Sequence, residues 1–181
     1  MTIRPDLTVA AVAERDGRFL LVEERVGSRM VFNQPAGHVE RGERLLDAVI
    51  RETLEETAWH FTPEALVGIY LWEQPARQRS FLRFTFCGRV SEHEPHRRLD
   101  RGIKRALWLT RTELVTRSAR LRSPMVLRCI DDYLADRHYP LDVVRHVLDD
   151  PMSITSTDRR LTPRTLSVLD PMREPPATPG R

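Results

Sequence analysis

Short apolar runs and one long amphipathic segment alternate along this chain, and together they predict both strands and helices. The apolar runs at residues 8–13 and 19–22 flank Asp16-Gly17, a dipeptide that favours hairpin turns, so we expect two antiparallel strands there. Residues 43–57 contain neither Pro nor Gly and repeat apolar side chains at helical spacing, which predicts an α-helix. Residues 33–37 carry both Pro35 and Gly37 and are expected to form a loop.

The rest of the pattern adds strands at residues 66–72, 81–90 and 106–109, a helical turn that begins at Thr112, and a helix from Pro124 to about residue 136. Strands surround the long helix without regular alternation, which indicates an α+β or mixed-sheet layered fold. Residues 151–181 are rich in Pro, Ser, Thr and Arg. We therefore predict one folded domain at residues 1–150 and a C-terminal extension, expected to be flexible, at residues 151–181.

Composition restricts the class of protein further. The chain has 181 residues, of which 40% are hydrophobic and 30% charged, enough to build one core. Its apolar runs are shorter than the roughly 18–20 residues that span a bilayer, and its start lacks the pattern of a secretory signal. Cys87 and Cys129 lack the spacing of a disulfide framework or a zinc site. These features predict a cytoplasmic protein without a membrane partner.

Positive charge is concentrated in one part of the sequence. Residues 97–128 contain ten Arg or Lys residues and only two acidic residues, Asp100 and Glu113. Such a region can form a nucleic-acid surface, or it can be a solvated face whose charges are partly paired. Because it lacks interleaved aromatic residues and any nucleic-acid-binding motif, we do not expect a nucleic-acid partner.

The predicted helix at residues 43–57 carries a concentration of acid on one side. At about 100° per residue, Glu52, Glu55 and Glu56 share one face. A separate apolar face is formed by Leu46, Val49, Ile50 and Thr53. Close carboxylates repel one another, and a bound Mg²⁺, which prefers oxygen ligands and is often shared with substrate phosphates, would reverse that effect. The alternative is an ordinary surface helix whose acids pair with Arg44 and Arg51.

The spacing around this helix favours the metal-binding interpretation over the ordinary surface helix. The residues follow the pattern G-x5-E-x7-R-E-x2-E-E, which begins at Gly37 and ends at Glu56. This pattern resembles the signature box of the Nudix hydrolase family. The chain departs from the box at three uncharged positions, with Thr53 and Trp59 in place of aliphatic residues and Ala58 in place of Gly. Ala58 is expected to constrain the turn after the helix, because Ala adopts positive φ poorly.

The resemblance implies a fold, a chemistry and a set of site residues. The implied fold is α+β, a Nudix-like α/β/α sandwich with a mixed β-sheet. The implied cofactor is Mg²⁺, with Mn²⁺ as a substitute, and the substrate is a small-molecule diphosphate. The implied metal ligands are the Gly37 carbonyl and the carboxylates of Glu52, Glu55 and Glu56. In relatives one of these carboxylates, usually the one at the position of Glu52, can instead serve as the general base. Arg51 with Glu43 would form the ion pair that orients the helix.

Segments outside the box point to a branch of the family. They resemble small Nudix phosphatases that act on thiamine-type pyrophosphates and nucleoside di- and triphosphates. The segments that carry this resemblance are NQPAGH, FLRFTF, LDRGIKRALWLT, and LRSP followed by YPLD. One alternative is a pyrophosphatase of ADP-ribose or another nucleoside-diphosphate sugar, since Pro75 lies 16 residues after the box. The other is a Nudix-like nucleotide-binding module without catalysis. Because family members often pair, a homodimer is a further expectation.

Several residues outside the box are weaker candidates. Asp100 and Glu73 compete for the role of an additional acid, with simple turn or loop residues as the alternative. Arg83 lies on a predicted strand, where it would point into a substrate cleft or lie on an exposed sheet face. Aromatic side chains that could stack on a substrate ring, or could instead belong to the core, are Trp72, Trp108 and Phe84.

Overall fold

The computed structural model describes residues 4–74 and 77–147, so the predicted extension at 151–181 and Pro75 lie outside the described residues. The strands are β1 (Asp6–Arg15), β2 (Arg18–Val26), β3 (Arg29–Asn33), β4 (Ala36–His38), β5 (Trp59–Gln74), β6 (Arg79–His93) and β7 (Ile103–Thr110). The helices are α1 (Leu45–Thr57), α2 (Arg111–Thr116) and α3 (Met125–Leu134). None of the helices in these residues has the length and hydropathy needed to cross a membrane.

The predicted hairpin forms the centre of the structure. β1 and β2 pair in antiparallel fashion through Glu14 with Phe19 and through Arg15 with Arg18. Asp16 and Gly17 both have positive φ, 52° and 72°, which matches the right-handed twist of the strands they connect. The prediction of a turn at this dipeptide is therefore confirmed.

The sheet contains both parallel and antiparallel pairs. Its strand order is β3-β2-β1-β6-β5, with β4 added to β1 and β7 added to β2. β1 and β6 run parallel, whereas β5 pairs with β6 and β3 pairs with β2 in antiparallel fashion. This arrangement confirms the predicted α+β fold with a mixed sheet.

Alternating side chains of β1 divide the core into two layers. Val12 packs in a cluster with residues of α2 and α3, such as Leu114 and Ile130. Val9, Ala11 and Ala13 point the other way, into a cluster that contains residues of α1. Because strand residues point alternately to opposite faces, helices cover both faces and the architecture is α/β/α.

Several strands differ from the pattern-based prediction, and β3 at Arg29–Asn33 was not predicted as a strand. Residues 33–37 were expected to form a loop, but β3 ends at Asn33 and β4 begins at Ala36, where Val9 pairs with Gly37. β5 is longer than predicted, because it starts directly after α1 and continues through Pro63 with irregular register at three places. Proline is tolerated there because β5 lies at the end of the strand order.

The basic region at residues 97–128 is largely paired. Eight of its ten Arg and Lys residues contact carboxylates, and most of the partners lie outside the region. Glu23, a nearly buried residue of β2, is contacted by Arg120 at 2.7 Å and Arg105 at 2.8 Å. Burial opposes ionisation of Glu23, but the hydrogen bonds from these arginines outweigh it and lower its pKa. The structure thus favours a solvated, paired face.

Ala58 ends α1 in the left-handed conformation, with φ 59° and ψ 17°, and its N–H donates to the Leu54 carbonyl. Only Gly adopts this conformation without a steric penalty from Cβ. We expect Ala58→Gly to raise the free energy of unfolding by about 0.5–1 kcal/mol, measured by urea denaturation. Ile50→Gly, at an exposed position in the middle of α1, is the matched control and should lower the free energy of unfolding. A loss of stability in Ala58→Gly would contradict this account.

Candidate active site

α1 places its carboxylates differently from the expected separation of acidic and apolar faces. Glu52 and Glu56 lie among the buried residues of the helix, together with Val49 and Thr53. Ile50, which was expected to face the core, is 37% exposed. The buried face of the helix therefore includes two of the acids, whereas the apolar spacing predicted a buried face that includes Ile50.

Arg51 organises the acidic side of the helix. Its guanidinium donates to both oxygens of Glu43, at 2.8 and 2.9 Å, to Glu52 Oε1 at 2.8 Å and to Glu55 Oε2 at 3.0 Å. It also donates to the His38 carbonyl at 3.1 Å, which ties the helix to β4. The hydrogen bonds that Arg51 donates lower the pKa of Glu43. The same hydrogen bonds to Glu43 are the main reason why the pKa of Arg51 is raised. The predicted contact between Arg51 and Glu43 is present.

Burial raises the pKa values of the two inward-pointing acids. Glu56 accepts a hydrogen bond from the Ala36 N–H at 2.8 Å, but burial raises its pKa well above the usual range. Burial also raises the pKa of Glu52, although its hydrogen bond with Arg51 acts in the opposite direction. A Cβ at Gly37 would overlap the Glu52 carboxylate as it now lies, so a larger residue there would displace that side chain. Gly37 thus leaves the room that lets Glu52 approach β4.

The oxygen atoms of this site are of the type that binds a divalent metal ion, but in this structure they do not converge on one point. Carboxylate oxygens and a backbone carbonyl are the ligands that Mg²⁺ prefers. Within residues 4–74 and 77–147, however, the side chains form no group of three or more His, Cys, Asp or Glu residues positioned to hold a metal. Arg51 and the Ala36 N–H engage oxygens of all three helix acids. A metal would therefore compete with Arg51 for Glu52 and Glu55.

The acids lie along a polar cleft of about 720 Å³. Its acidic side contains the α1 carboxylates and exposed Asp100, whose N–H donates to the Glu55 carbonyl at 3.0 Å. Its basic lining comprises Arg29, Arg51, Arg77, Arg79, Arg83 and Arg122. A cleft with acids at one side and several arginines around it can hold a metal together with a phosphorylated compound.

Arg83 lines this cleft and is only 6% exposed, so its alternative interpretation as an exposed sheet-face residue is wrong. Burial lowers its pKa. Among the residues singled out from the sequence, the structure brings Arg83, Asp100 and Trp72 to the same cleft as five box residues, which are Gly37, Arg51, Glu52, Glu55 and Glu56. Glu43 does not line the cleft and is linked to it through Arg51.

Other candidates lie elsewhere. Glu73 is an exposed residue of β5 rather than of a loop, and it does not line the cleft. Trp108 and Phe84 pack against the α1-side core cluster. Residues that the sequence did not single out also line the cleft, among them Glu24 on β2 and Asn33 on β3. No local motif marks these two residues, because only strand pairing brings them to the site.

Comparison with known proteins places this architecture in a family. Residues 3–129 match the family model described as the NUDIX domain, a stretch that includes α1 and most of the cleft. This chain belongs to the Nudix hydrolase family, whose members typically depend on a divalent metal ion.

Particular relatives agree with this assignment. The chain is 35% identical over 141 residues to phosphatase NudJ of Escherichia coli strain K12, a match that covers 78% of this chain and 91% of that protein. The identity and coverage are the same for phosphatase NudJ of Shigella boydii serotype 4, strain Sb227. A solved NUDIX hydrolase from Nitrosomonas europaea is 47% identical, with a TM-score of 0.78, over 80% of this chain and 98% of that chain.

Proposed function

We propose that this chain is a Mg²⁺-dependent phosphohydrolase that cleaves phosphoanhydride bonds of small organic diphosphates. One observation carries the proposal: α1 presents three carboxylates to an arginine-lined cleft, and Arg51 and Glu43 hold that side of the helix in place. Family membership supports hydrolysis, and the name of the NudJ relatives supports the release of phosphate.

The proposed metal ligands are the carboxylates of Glu52, Glu55 and Glu56 and the Gly37 carbonyl, with Mn²⁺ able to replace Mg²⁺ at such oxygen ligands. A bound divalent ion supplies Lewis-acid stabilisation of the phosphate charge. Arg51 would orient Glu52 and Glu55 through its hydrogen bonds, and Glu43 would orient Arg51. The support for these roles is the geometry of the hydrogen bonds and the donor types.

Glu52 is the proposed general base that accepts a proton from the attacking water. Burial raises the pKa of Glu52, while the Arg51 hydrogen bond limits that rise. A carboxylate with a raised pKa holds the transferred proton more readily than an ordinary one, and a base is most effective when its pKa approaches the working pH.

The finer proposal names thiamine-type pyrophosphates and nucleoside di- and triphosphates as substrates. The arginines of the cleft suit phosphate groups. On its wall, the rings of Trp72 and Phe81 are stacked, with centroids 5.4 Å apart, and give an aromatic surface that a heterocyclic ring could contact. The alternative substrate, ADP-ribose, rests on Pro75, which lies outside the described residues.

Product analysis with and without Mg²⁺ tests this function. The panel contains thiamine diphosphate, its pyrimidine-diphosphate precursor, nucleoside di- and triphosphates, and ADP-ribose, with EDTA-treated protein as the control. We expect Mg²⁺-dependent release of orthophosphate from the substrates that end in a phosphate. Release of AMP from ADP-ribose alone would overturn the finer proposal. Nucleotide binding without turnover of any compound would instead support the non-catalytic module.

A further inference from the structure

Buried polar atoms without partners are concentrated at one wall of the cleft. Among the described residues, the buried side-chain atoms that lack a hydrogen-bond partner include Nε and Nη1 of Arg83, Oγ1 of Thr8, Oε1 of Glu24 and Oδ1 of Asn33. All four of these residues line the cleft. Proteins rarely leave buried polar groups unpaired, because the lost hydration is not recovered. A phosphate in the cleft can accept hydrogen bonds from the Arg83 nitrogens and the Thr8 hydroxyl, whereas the Glu24 and Asn33 oxygens are acceptors and need a donor.

Within the described residues, Arg83 differs from three other arginines of the cleft in lacking a hydrogen-bond or ion-pair partner. Arg29 donates to the Ala119 carbonyl, Arg79 donates to Asp6, and Arg122 lies 3.8 Å from Glu24. Two nitrogens of the Arg83 guanidinium have no such partner, although the residue is only 6% exposed. Glu24 and Glu56 act on Arg83 only through their charge. An unpaired guanidinium at this depth carries a positive charge and free donors for an incoming anion.

The strand register fixes Arg83 in place. On β6, Arg83 is the partner of Thr8 on β1 and of Tyr70 on β5, so its backbone lies in the middle of three paired strands. Tyr70 is itself held by a hydrogen bond to Asp132 at 3.1 Å. Because Arg83 rises from a rigid sheet and is nearly buried, the group that reaches it must be small and at the end of the ligand.

We propose that Arg83 binds the terminal phosphoryl group of the substrate and selects compounds that end in a phosphate over those whose diphosphate is capped by a sugar. This proposal deepens the proposed function and rests on it. The terminal phosphoryl group has three oxygens that can accept from Arg83, whereas a capped phosphate has fewer and is flanked on both sides.

Arg83→Met is the test, because Met keeps much of the side-chain length and removes the charge. Binding of methylenediphosphonate, a diphosphate analogue that is not hydrolysed, is measured by calorimetry at fixed Mg²⁺ concentration. We expect its Kd to rise at least about tenfold, the effect of losing one strong charged hydrogen bond. Arg111→Met, which removes an exposed arginine paired with Asp131 on the protein surface, is the matched control and should bind the analogue like the wild type.

Thermal unfolding separates this role from a structural one. Removal of an unpaired buried charge should leave the melting temperature of the ligand-free Arg83→Met protein unchanged or raise it. A lower melting temperature, or failure of this variant to fold, would overturn the proposal, as would an unchanged Kd for methylenediphosphonate. Arg83→Lys, which retains the charge, should recover part of the affinity.

Selectivity is the second readout. In Arg83→Met, kcat/KM for a nucleoside diphosphate should fall at least about tenfold more than kcat/KM for ADP-ribose. Equal losses for the two substrates would overturn the assignment to the terminal phosphate. If the wild-type protein hydrolyses neither compound but its binding of methylenediphosphonate depends on Arg83, only the proposed hydrolysis fails.

Discussion

Glu56→Gln is expected to remove metal-dependent hydrolysis and, at neutral pH, to make the metal-free protein more stable. Glutamine can still accept the hydrogen bond from the Ala36 N–H, so the local structure should persist. It cannot supply a charged ligand oxygen, and we expect kcat/KM with Mg²⁺ to fall by about 10²-fold or more, equivalent to the several kcal/mol that a metal contributes.

The stability change follows from the raised pKa of Glu56. Burial is its main cause, so the folded protein keeps the Glu56 proton at pH values where the unfolded chain has lost it. The folded state then binds more protons, and the free energy of unfolding falls as pH rises from the usual carboxyl range through the raised pKa. Glu56→Gln removes this decrease and should add at least about 1 kcal/mol at neutral pH, because a pKa difference of one between the folded and unfolded states corresponds to about 1.4 kcal/mol.

Urea denaturation in EDTA at acidic and neutral pH measures the effect, beside a turnover assay. Asp47→Asn, which removes an exposed acid from the first turn of the same helix, is the matched control and should retain turnover. Wild-type turnover in a folded Glu56→Gln protein would refute the ligand assignment. A less stable metal-free variant would refute the account of its burial.

Arg51→Lys is expected to weaken both the fold and the response to Mg²⁺, although it conserves the charge. Arg51 makes five hydrogen bonds to four residues, and the compact lysine ammonium has three donors that cannot span them. The partly exposed setting reduces the cost below that of a fully buried pair. We therefore expect a loss of about 1–3 kcal/mol in the free energy of unfolding.

The effect on activity should arise through orientation of the acids. Without the guanidinium of Arg51, the carboxylates of Glu52 and Glu55 lose the hydrogen bonds that fix their orientation. Changes in such supporting contacts typically cost about 10–100-fold in metal affinity or activity. The Mg²⁺ concentration for half-maximal turnover should therefore rise. Glu43→Gln and the double variant complete a cycle in which the two changes are strongly non-additive. Additive effects, or a Lys variant with wild-type Mg²⁺ response, would show that the contact between Arg51 and Glu43 does not orient the site.

The pair of Arg51 and Glu43 also predicts a loss of stability in acid. Because the hydrogen bonds with Arg51 lower the pKa of Glu43, the contribution of this pair is present above the usual carboxyl pKa. It disappears as the pH falls through the lowered value. In Arg51→Lys this part of the acid dependence should be smaller.

Local sequence determines the features of this protein that depend on near neighbours. Asp16-Gly17 supports a hairpin because both residues tolerate positive φ, and α1 forms because its segment lacks helix breakers. The spacing from Gly37 to Glu56 likewise places three candidate metal ligands on one helix, whereas Gly37, expected in a loop, lies on β4. These elements and ligand positions were predictable, since each depends on residues within a few turns of chain.

Tertiary structure alone decides which of these groups are buried and what they contact. Glu52 and Glu56 turn inward because β4 pairs with β1 beside α1, whereas helical spacing placed Ile50 in the core instead. Glu23 meets Arg105 and Arg120 across sequence separations of 82 and 97 residues. The periodicity of apolar residues along the chain does not predict contacts between residues so far apart in sequence.

Arg83 is the clearest case of this division. Its position on a strand shows only that it faces away from Leu82 and Phe84, which suits either solvent or a cleft. The pairing of β6 with β1 and β5, together with the neighbouring cleft walls, buries its guanidinium without a partner. The desolvation of a charge depends on every element packed around it, so the tertiary structure, and not the local sequence, sets the chemistry of this residue.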